Sequence, residues 1–224
     1  MVISYCIPIR NRIDDLKQSL VAVIAAAKRS PPVEIVILDY DSDDGLEEYA
    51  KTLPQLEDGN NIVYVKHTGH KYYHMAKARN LSALAASGEY LVLANADNLP
   101  SGYFFHVIRV LIDARAVWMI PGPWDSLLVI QKEEFIDAGG FDERFEFYGP
   151  EDKELVERLR RRGTKHKIYS RSLIPAVYTP DVKKESGYRL KIPKQKMHNL
   201  MMKYFIENRE NKLLVANPDG WGKT

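Results

Sequence analysis

Short apolar runs alternate with amphipathic stretches through the first hundred residues. "VISYCIPI" (2–9), "VEIVILDY" (33–40), "NIVYVKH" (61–67) and "EYLVLAN" (89–95) read as strands. Between them, "DDLKQSLVAVIAAAKR" (14–29) has the spacing of an amphipathic helix. "DDGLEEYAKTL" opens a second helix on acids, and "HMAKARNLSALAAS" (74–87) forms a third that Gly88 stops. Strand–helix alternation of this kind predicts an α/β fold with a mostly parallel central sheet and helices on both faces.

The pattern loosens beyond residue 100. A helix near 101–115 precedes "AVWMIPGPWDSLLVIQKEEF", which holds one or two strands around a Pro-Gly-Pro turn. "GGFDERFEFYGPED" reads as a glycine- and aromatic-rich loop, and "EDKELVERLRRRG" as a helix with acids in its first turn, arginines in its last and Gly163 where it stops. The tail holds a lysine-rich stretch, then "MHNLMMKYFIEN" as a short helix. No linker separates these parts, so one domain with a C-terminal extension is expected.

Composition changes this picture little. The 224 residues are 45% hydrophobic and 28% charged, as in ordinary globular proteins. A single cysteine, Cys6, excludes a disulfide framework and fits a buried thiol in a reducing compartment. With neither a signal peptide nor an eighteen-residue apolar run in the sequence, a cytoplasmic protein is expected. Charge is informative in its distribution: residues 1–152 carry 14 Lys+Arg against 23 Asp+Glu, and residues 153–224 carry 18 against 7. The basic C-terminal third suits phosphates, an anionic membrane surface or nucleic acid, or is simply a solvated face.

Candidate chemistry gathers where the strands end. An open parallel sheet binds ligands outside the carboxyl ends of its strands. Arg10 and Arg12 follow the first strand, Asp39 and Asp41 the second, and Asn95 and Asp97 the fourth, while Lys77, Arg79 and Asn80 lie on the third helix. Arginines beside acids fit a phosphorylated ligand held partly through a divalent cation. No glycine-rich phosphate loop is present, which disfavours a dinucleotide or ATP cradle.

In order, "IPIRNR", "LDYDSDDG", "AKARNLSALAASGEYLVLANADN" and "GGFDERFEFYGPEDKELVERLRRRG" resemble the nucleotide-sugar glycosyltransferases of the GT-A fold. The inverting branch with β-1,4-galactosyltransferases and chondroitin-polymerase-like family 2 enzymes is the most similar. The resemblance implies a GT-A domain over 1–180, its nucleotide-binding half 1–100 and acceptor-binding half 101–180. Residues 181–224 would be an extension completing the site, and removal from about residue 190 would leave a folded core.

It also implies roles. Pro8, Arg10, Arg12, Asp39, Tyr40, Arg79, Asn80, Asn95 and Ala96 would contact the donor. Asp97, last in "NAD" where the family has Asp-x-Asp, would bind Mn²⁺ or Mg²⁺, with His198 of "KMHN" completing the metal site. Asp152 would be the general base, with Glu151, Tyr148 and Trp124 on the acceptor. Plainer readings stay open beside these: "DYDSDD" as a capped helix entry, Arg79 as a snorkelling residue, Glu151 and Asp152 as helix caps, and His198 as a surface histidine. His67, His70 and His74 are left as loop residues that touch donor or acceptor.

The resulting expectation is a metal-dependent inverting glycosyltransferase that moves a hexose or N-acetylhexosamine from a UDP-sugar to a glycan or glycolipid hydroxyl. A peripheral contact with an anionic membrane is expected, and no nucleic acid. The alternatives are a sugar-nucleotide nucleotidyltransferase, or an inactive transferase-like module that binds anionic surfaces or nucleic acid through its basic tail.

Overall fold

The computed structural model describes residues 1–112, 116–121, 126–168, 172, 175–176, 180, 183 and 185–222. Among these residues seven strands form one sheet. They are β1 (Ile3–Ile9), β2 (Val33–Tyr40), β3 (Asn61–His67), β4 (Tyr90–Leu93), β5 (Ala116–Pro121), β6 (Ser126–Gln131) and β7 (Lys165–Ile168). Their order is β3-β2-β1-β4-β6-β5-β7, and β6 alone runs against its neighbours. The helices are α1 (Ile13–Lys28), α2 (Leu46–Ala50), α3 (Met75–Ala85), α4 (Phe104–Leu111), α5 (Lys132–Asp137), α6 (Glu151–Arg161) and α7 (Lys194–Glu210).

Every residue of β1 and β2 is buried, because both faces of the sheet are covered. Ile3, Tyr5, Ile7 and Ile9 point to one face, where Leu16, Leu20 and Val23 of α1 and Phe104, Phe105 and Ile108 of α4 meet them. Cys6 and Val36 point to the other, against Ala76 of α3, Phe135 of α5, Leu155 and Leu159 of α6, and Met197 and Met201 of α7. The extension is therefore part of the second core. Among the described residues no helix is long and apolar enough to cross a membrane.

Two buried polar groups anchor the sheet at the end away from the site. Glu34 accepts from Ser4 Oγ at 2.5 Å and from the Ser87 N–H and Oγ at 2.7 Å each. Asn60 accepts from the Val33 N–H at 2.8 Å. The bonds to Glu34 and to Asn60 Oδ1 offset the cost of burial, while the buried Asn60 Nδ2 has no hydrogen-bond partner among the described residues.

Candidate active site

The strand order reverses between β1 and β4, which makes their carboxyl ends the topological switch point. Pro8 opens it. The Cys6 carbonyl accepts from the Ala94 N–H at 3.0 Å. Two residues on, Pro8 faces the same side with no N–H to give, and the β1–β4 ladder ends at Cys6–Leu93. A cavity of about 300 Å³ occupies this crevice, lined among others by Pro8, Arg10, Arg12, Asn95, Ala96 and Tyr148.

The loops around it are laced together. Asn11, at φ +50°, accepts from the Asp43 N–H at 2.9 Å, and Asp44 accepts from the Ile13 N–H at 2.8 Å. Helix α1 has no side-chain cap of its own, so Asp44 serves one of its orphan donors from the neighbouring loop. Arg10 donates to the carbonyls of Tyr40 (2.7 Å), His70 (2.6 Å) and Lys71 (3.2 Å). It thus pins the β2 end and the β3–α3 loop to the cavity wall.

Asp39 and Tyr40 do not line the cavity. The fully buried Asp39 carboxylate accepts from the Tyr64 hydroxyl at 2.6 Å and the Ser42 N–H at 2.7 Å. Burial first, and then the bonded Asp39 charge, push the Tyr64 phenol far above its usual range. Tyr40 is spent on packing: its ring stacks on His70 at 3.9 Å, and His70 stacks on His67. Asp43 is the carboxylate that does line the cavity.

The β4 end is a tight turn, in which the Asn95 N–H donates to Asn98 Oδ1 at 2.7 Å. Arg79, only 3% exposed, is no snorkelling residue. Its guanidinium donates to Asn95 Oδ1 at 3.2 Å and pairs with Glu151 at 2.9 Å, tying the start of α6 to the crevice. Asn80 turns away from the cavity. It donates to the Phe141 carbonyl and Glu143 Oε1, and accepts from the Phe141 N–H at 2.8 Å. Gly140, at φ +65°, makes this possible, since a Cβ there would lie 2.6 Å from Asn80 Oδ1.

Helix α6 begins after Pro150 without a side-chain cap. Glu151 goes to Arg79, and Asp152, 8% exposed, accepts from the Lys153 N–H at 2.7 Å. Tyr148 lies beneath Lys194 Nζ, 4.9 Å from its ring centroid. Trp124 lies outside the described residues. Several wall residues carried no signal as a group in the sequence: Lys71, Tyr72, Tyr73, Tyr188, Lys191 and Lys194. The "KYYH" run at 71–74 places cation and aromatics side by side and was the one visible hint.

The described residues do not fit the expected metal. No three of their His, Cys, Asp and Glu side chains form a group able to hold one. Asn95 supplies an amide in place of the first acid, and Asp97, 2% exposed, pairs with Arg12 at 3.0 Å. Arg12 lines the cavity and Asp97 does not. Burial opposes the Arg12 charge, but Asp97 and Asp15 outweigh it and hold the guanidinium above its usual pKa. His198 sits half-buried on α7, away from the cavity lining, and its buried Nδ1 has no hydrogen-bond partner.

Comparisons with known proteins agree with this geometry. A family model described as glycosyl transferase family 2 matches residues 4–119, and one described as N-terminal domain of galactosyltransferase matches residues 115–183. No curated protein matches the chain. Among solved structures it resembles a mannosyltransferase from Pyrobaculum calidifontis in complex with GDP-Man and Mn²⁺, with TM-score 0.62 and 17% identity over 83% of this chain and 61% of that one. S. aureus TarS in complex with UDP gives 0.63 and 13%, over 94% and 72%. The catalytic domain of Drosophila β1,4-galactosyltransferase 7 in complex with xylobiose gives 0.61 and 16%, over 87% and 77%. These likenesses establish the GT-A fold. The family 2 model spans more than half the chain, and the chain belongs to glycosyltransferase family 2.

Proposed function

We propose that this chain moves a hexose or N-acetylhexosamine from a UDP-sugar to a glycan or glycolipid hydroxyl, with inversion at the anomeric carbon. The observation that carries this reading is the cavity at the β1–β4 switch point, walled by cations and tyrosines. Arg10 and Arg12 would take the diphosphate, since they line the cavity and guanidinium donors suit phosphate oxygens. Asp43 is the wall carboxylate that would accept from ribose hydroxyls. The rings of Tyr148 and Tyr188 offer apolar faces to a sugar.

The transfer is a direct displacement. An acceptor oxygen bonds to the anomeric carbon as the bond from that carbon to the diphosphate oxygen breaks, and UDP departs with the electron pair. The hydroxyl proton passes to the Asp152 carboxylate. Asp152 is not itself a lining residue; it stands one residue from Glu151, which Arg79 ties to Asn95 on the cavity wall. The resemblance implied Mn²⁺ or Mg²⁺, but the described residues supply no ligand set, and every role here falls to side chains of the chain itself.

A UDP-release screen over UDP-galactose, UDP-N-acetylgalactosamine and UDP-glucose, with sugar acceptors, tests the donor reading. With a working pair, Asp152→Asn should keep fold and UDP affinity, since asparagine is tolerated at helix starts as aspartate is. Its kcat should fall by about 10²–10⁴-fold, the worth of a positioned base. A loss below about tenfold would remove Asp152 from that role.

A further inference from the structure

The cavity wall is strongly cationic. Among the described lining residues, Arg10, Arg12, Lys71, Lys183, Lys191 and Lys194 face it against one carboxylate, Asp43. In a metal-bridged donor site the strand-end carboxylates attract a dication, which in turn attracts the diphosphate. Here the strand-end carboxylate is already engaged by a cation of the protein. Asn95 is neutral, and the Asp97 charge is matched by a guanidinium 3.0 Å away that also pairs with Asp15 at 2.7 Å. A dication at Asp97 would have to displace Arg12 from both carboxylates, or stand against its positive charge at contact distance.

Resting on the UDP-sugar reading above, we infer that Arg12 and the wall lysines take the place of a divalent cation, so that this chain binds a nucleoside diphosphate without metal. Asp97 is then a positioning residue. With Asp15 it fixes the guanidinium at the mouth of the crevice, where a fixed fork of N–H donors matches phosphate oxygens. Arg10, anchored by three carbonyls, holds a second charge at a fixed place. Lys183, paired at 3.5 Å with Asp14 and 3.7 Å with Asp15, adds a third beside Arg12. These groups are in place before ligand arrives, so they neutralise a leaving diphosphate without reorganising. The mannosyltransferase of the same fold was solved with Mn²⁺.

Calorimetric titration of the whole chain with UDP, once in EDTA and once in excess Mn²⁺, tests this. The two dissociation constants should agree within about fivefold. In EDTA, at a temperature where circular dichroism shows it folded, Arg12→Gln should weaken UDP at least about tenfold, and Lys191→Gln, which breaks no ion pair among the described residues, should weaken it several-fold at an unchanged melting temperature. Binding more than about fivefold tighter in Mn²⁺ overturns the inference while leaving the UDP-donor reading intact. UDP binding in neither buffer overturns both.

Discussion

Tyr40, His67 and His70 show how residue types legible in a sequence acquire meaning only from their partners. His67 Nδ1 and His70 Nε2 lie 2.7 Å apart, within hydrogen-bond reach of each other. Burial lowers the His70 pKa below its ordinary 6.5, His67, Lys77 and Arg10 push it further down, and Asp41 pushes the other way. Because the folded value is depressed, the neutral ring is the folded form. Its stabilisation is therefore full above about 6.5 and is lost as pH falls through the lower folded value. The melting temperature should drop on acidification from about pH 7 to pH 5, and less steeply in His70→Gln. His74, lowered by burial as well, gives both proteins a common background. An equal pH slope in the two would end the assignment. The same scale explains which site residues were legible. Arg10, Arg12 and Asn95 follow strand ends in short motifs and do line the cavity. Asp39 and Asn80 were expected beside them, but their partners, Tyr64 and Phe141, lie 25 and 61 residues away in sequence, where no local pattern reaches.

Among elements, the tie between β4 and α6 matters most for chemistry, and it passes through α3. Arg79 and Glu151 are each about 4% exposed at the side chain, and Arg79 also lies over the Phe141 ring at 5.2 Å. Removing one member of a buried pair costs about 3–5 kcal/mol, whereas replacing both by apolar groups of similar volume is often neutral. Arg79→Met should therefore destabilise by about that amount in urea melts, and Arg79→Met with Glu151→Met should recover much of it. Neither should recover transferase activity, because the start of α6 is no longer held to Asn95. Full activity in the double variant would show the tie to be merely structural. Element boundaries followed from sequence where an apolar run marks the strand: the fully buried β2 and the half-buried β3 begin and end as their apolar runs do. Two elements were missed. The β7 run "KHKI" leaves its residues exposed or half-buried at the sheet edge, with no alternation to detect. Helix α5 spans six residues and buries only Phe135. Arg158 misled in another way. It belongs to the basic C-terminal third, for which a solvated face was one reading, yet it is fully buried, bonded to Glu154 and to the carbonyls of Ala138 and Gly140.

At the scale of the whole molecule, the last forty residues are woven into the fold. Met197 and Met201 fill the second core, and Trp221 meets the Phe135 ring edge-on at 5.7 Å. Asn217 donates to the carbonyls of Gly139 and Phe141, and Ala216 pairs with Ala138 at 3.0 Å. Asp142, 1% exposed, depends on this region too. Burial opposes its charge, but hydrogen bonds from Arg144 and Asn208 outweigh that and hold its carboxyl below the usual range. The sequence suggested that a chain cut near residue 190 would fold and only bind donor poorly, because its recognisable motifs end well before that point. The packing argues otherwise. Two buried methionines alone are worth about 1.5–3 kcal/mol each, and a buried carboxylate losing a hydrogen-bond partner costs about 1–3 kcal/mol more. A typical domain has about 5–15 kcal/mol in all. Truncation at residue 190 should therefore abolish the cooperative urea transition seen by circular dichroism, rather than lower UDP affinity in a folded protein. Met201→Ala offers a milder version, with an expected loss of about 2–5 kcal/mol and a cavity that still holds UDP. A truncated chain that melts cooperatively near the full-length midpoint would mean that these contacts decorate a core able to stand without them.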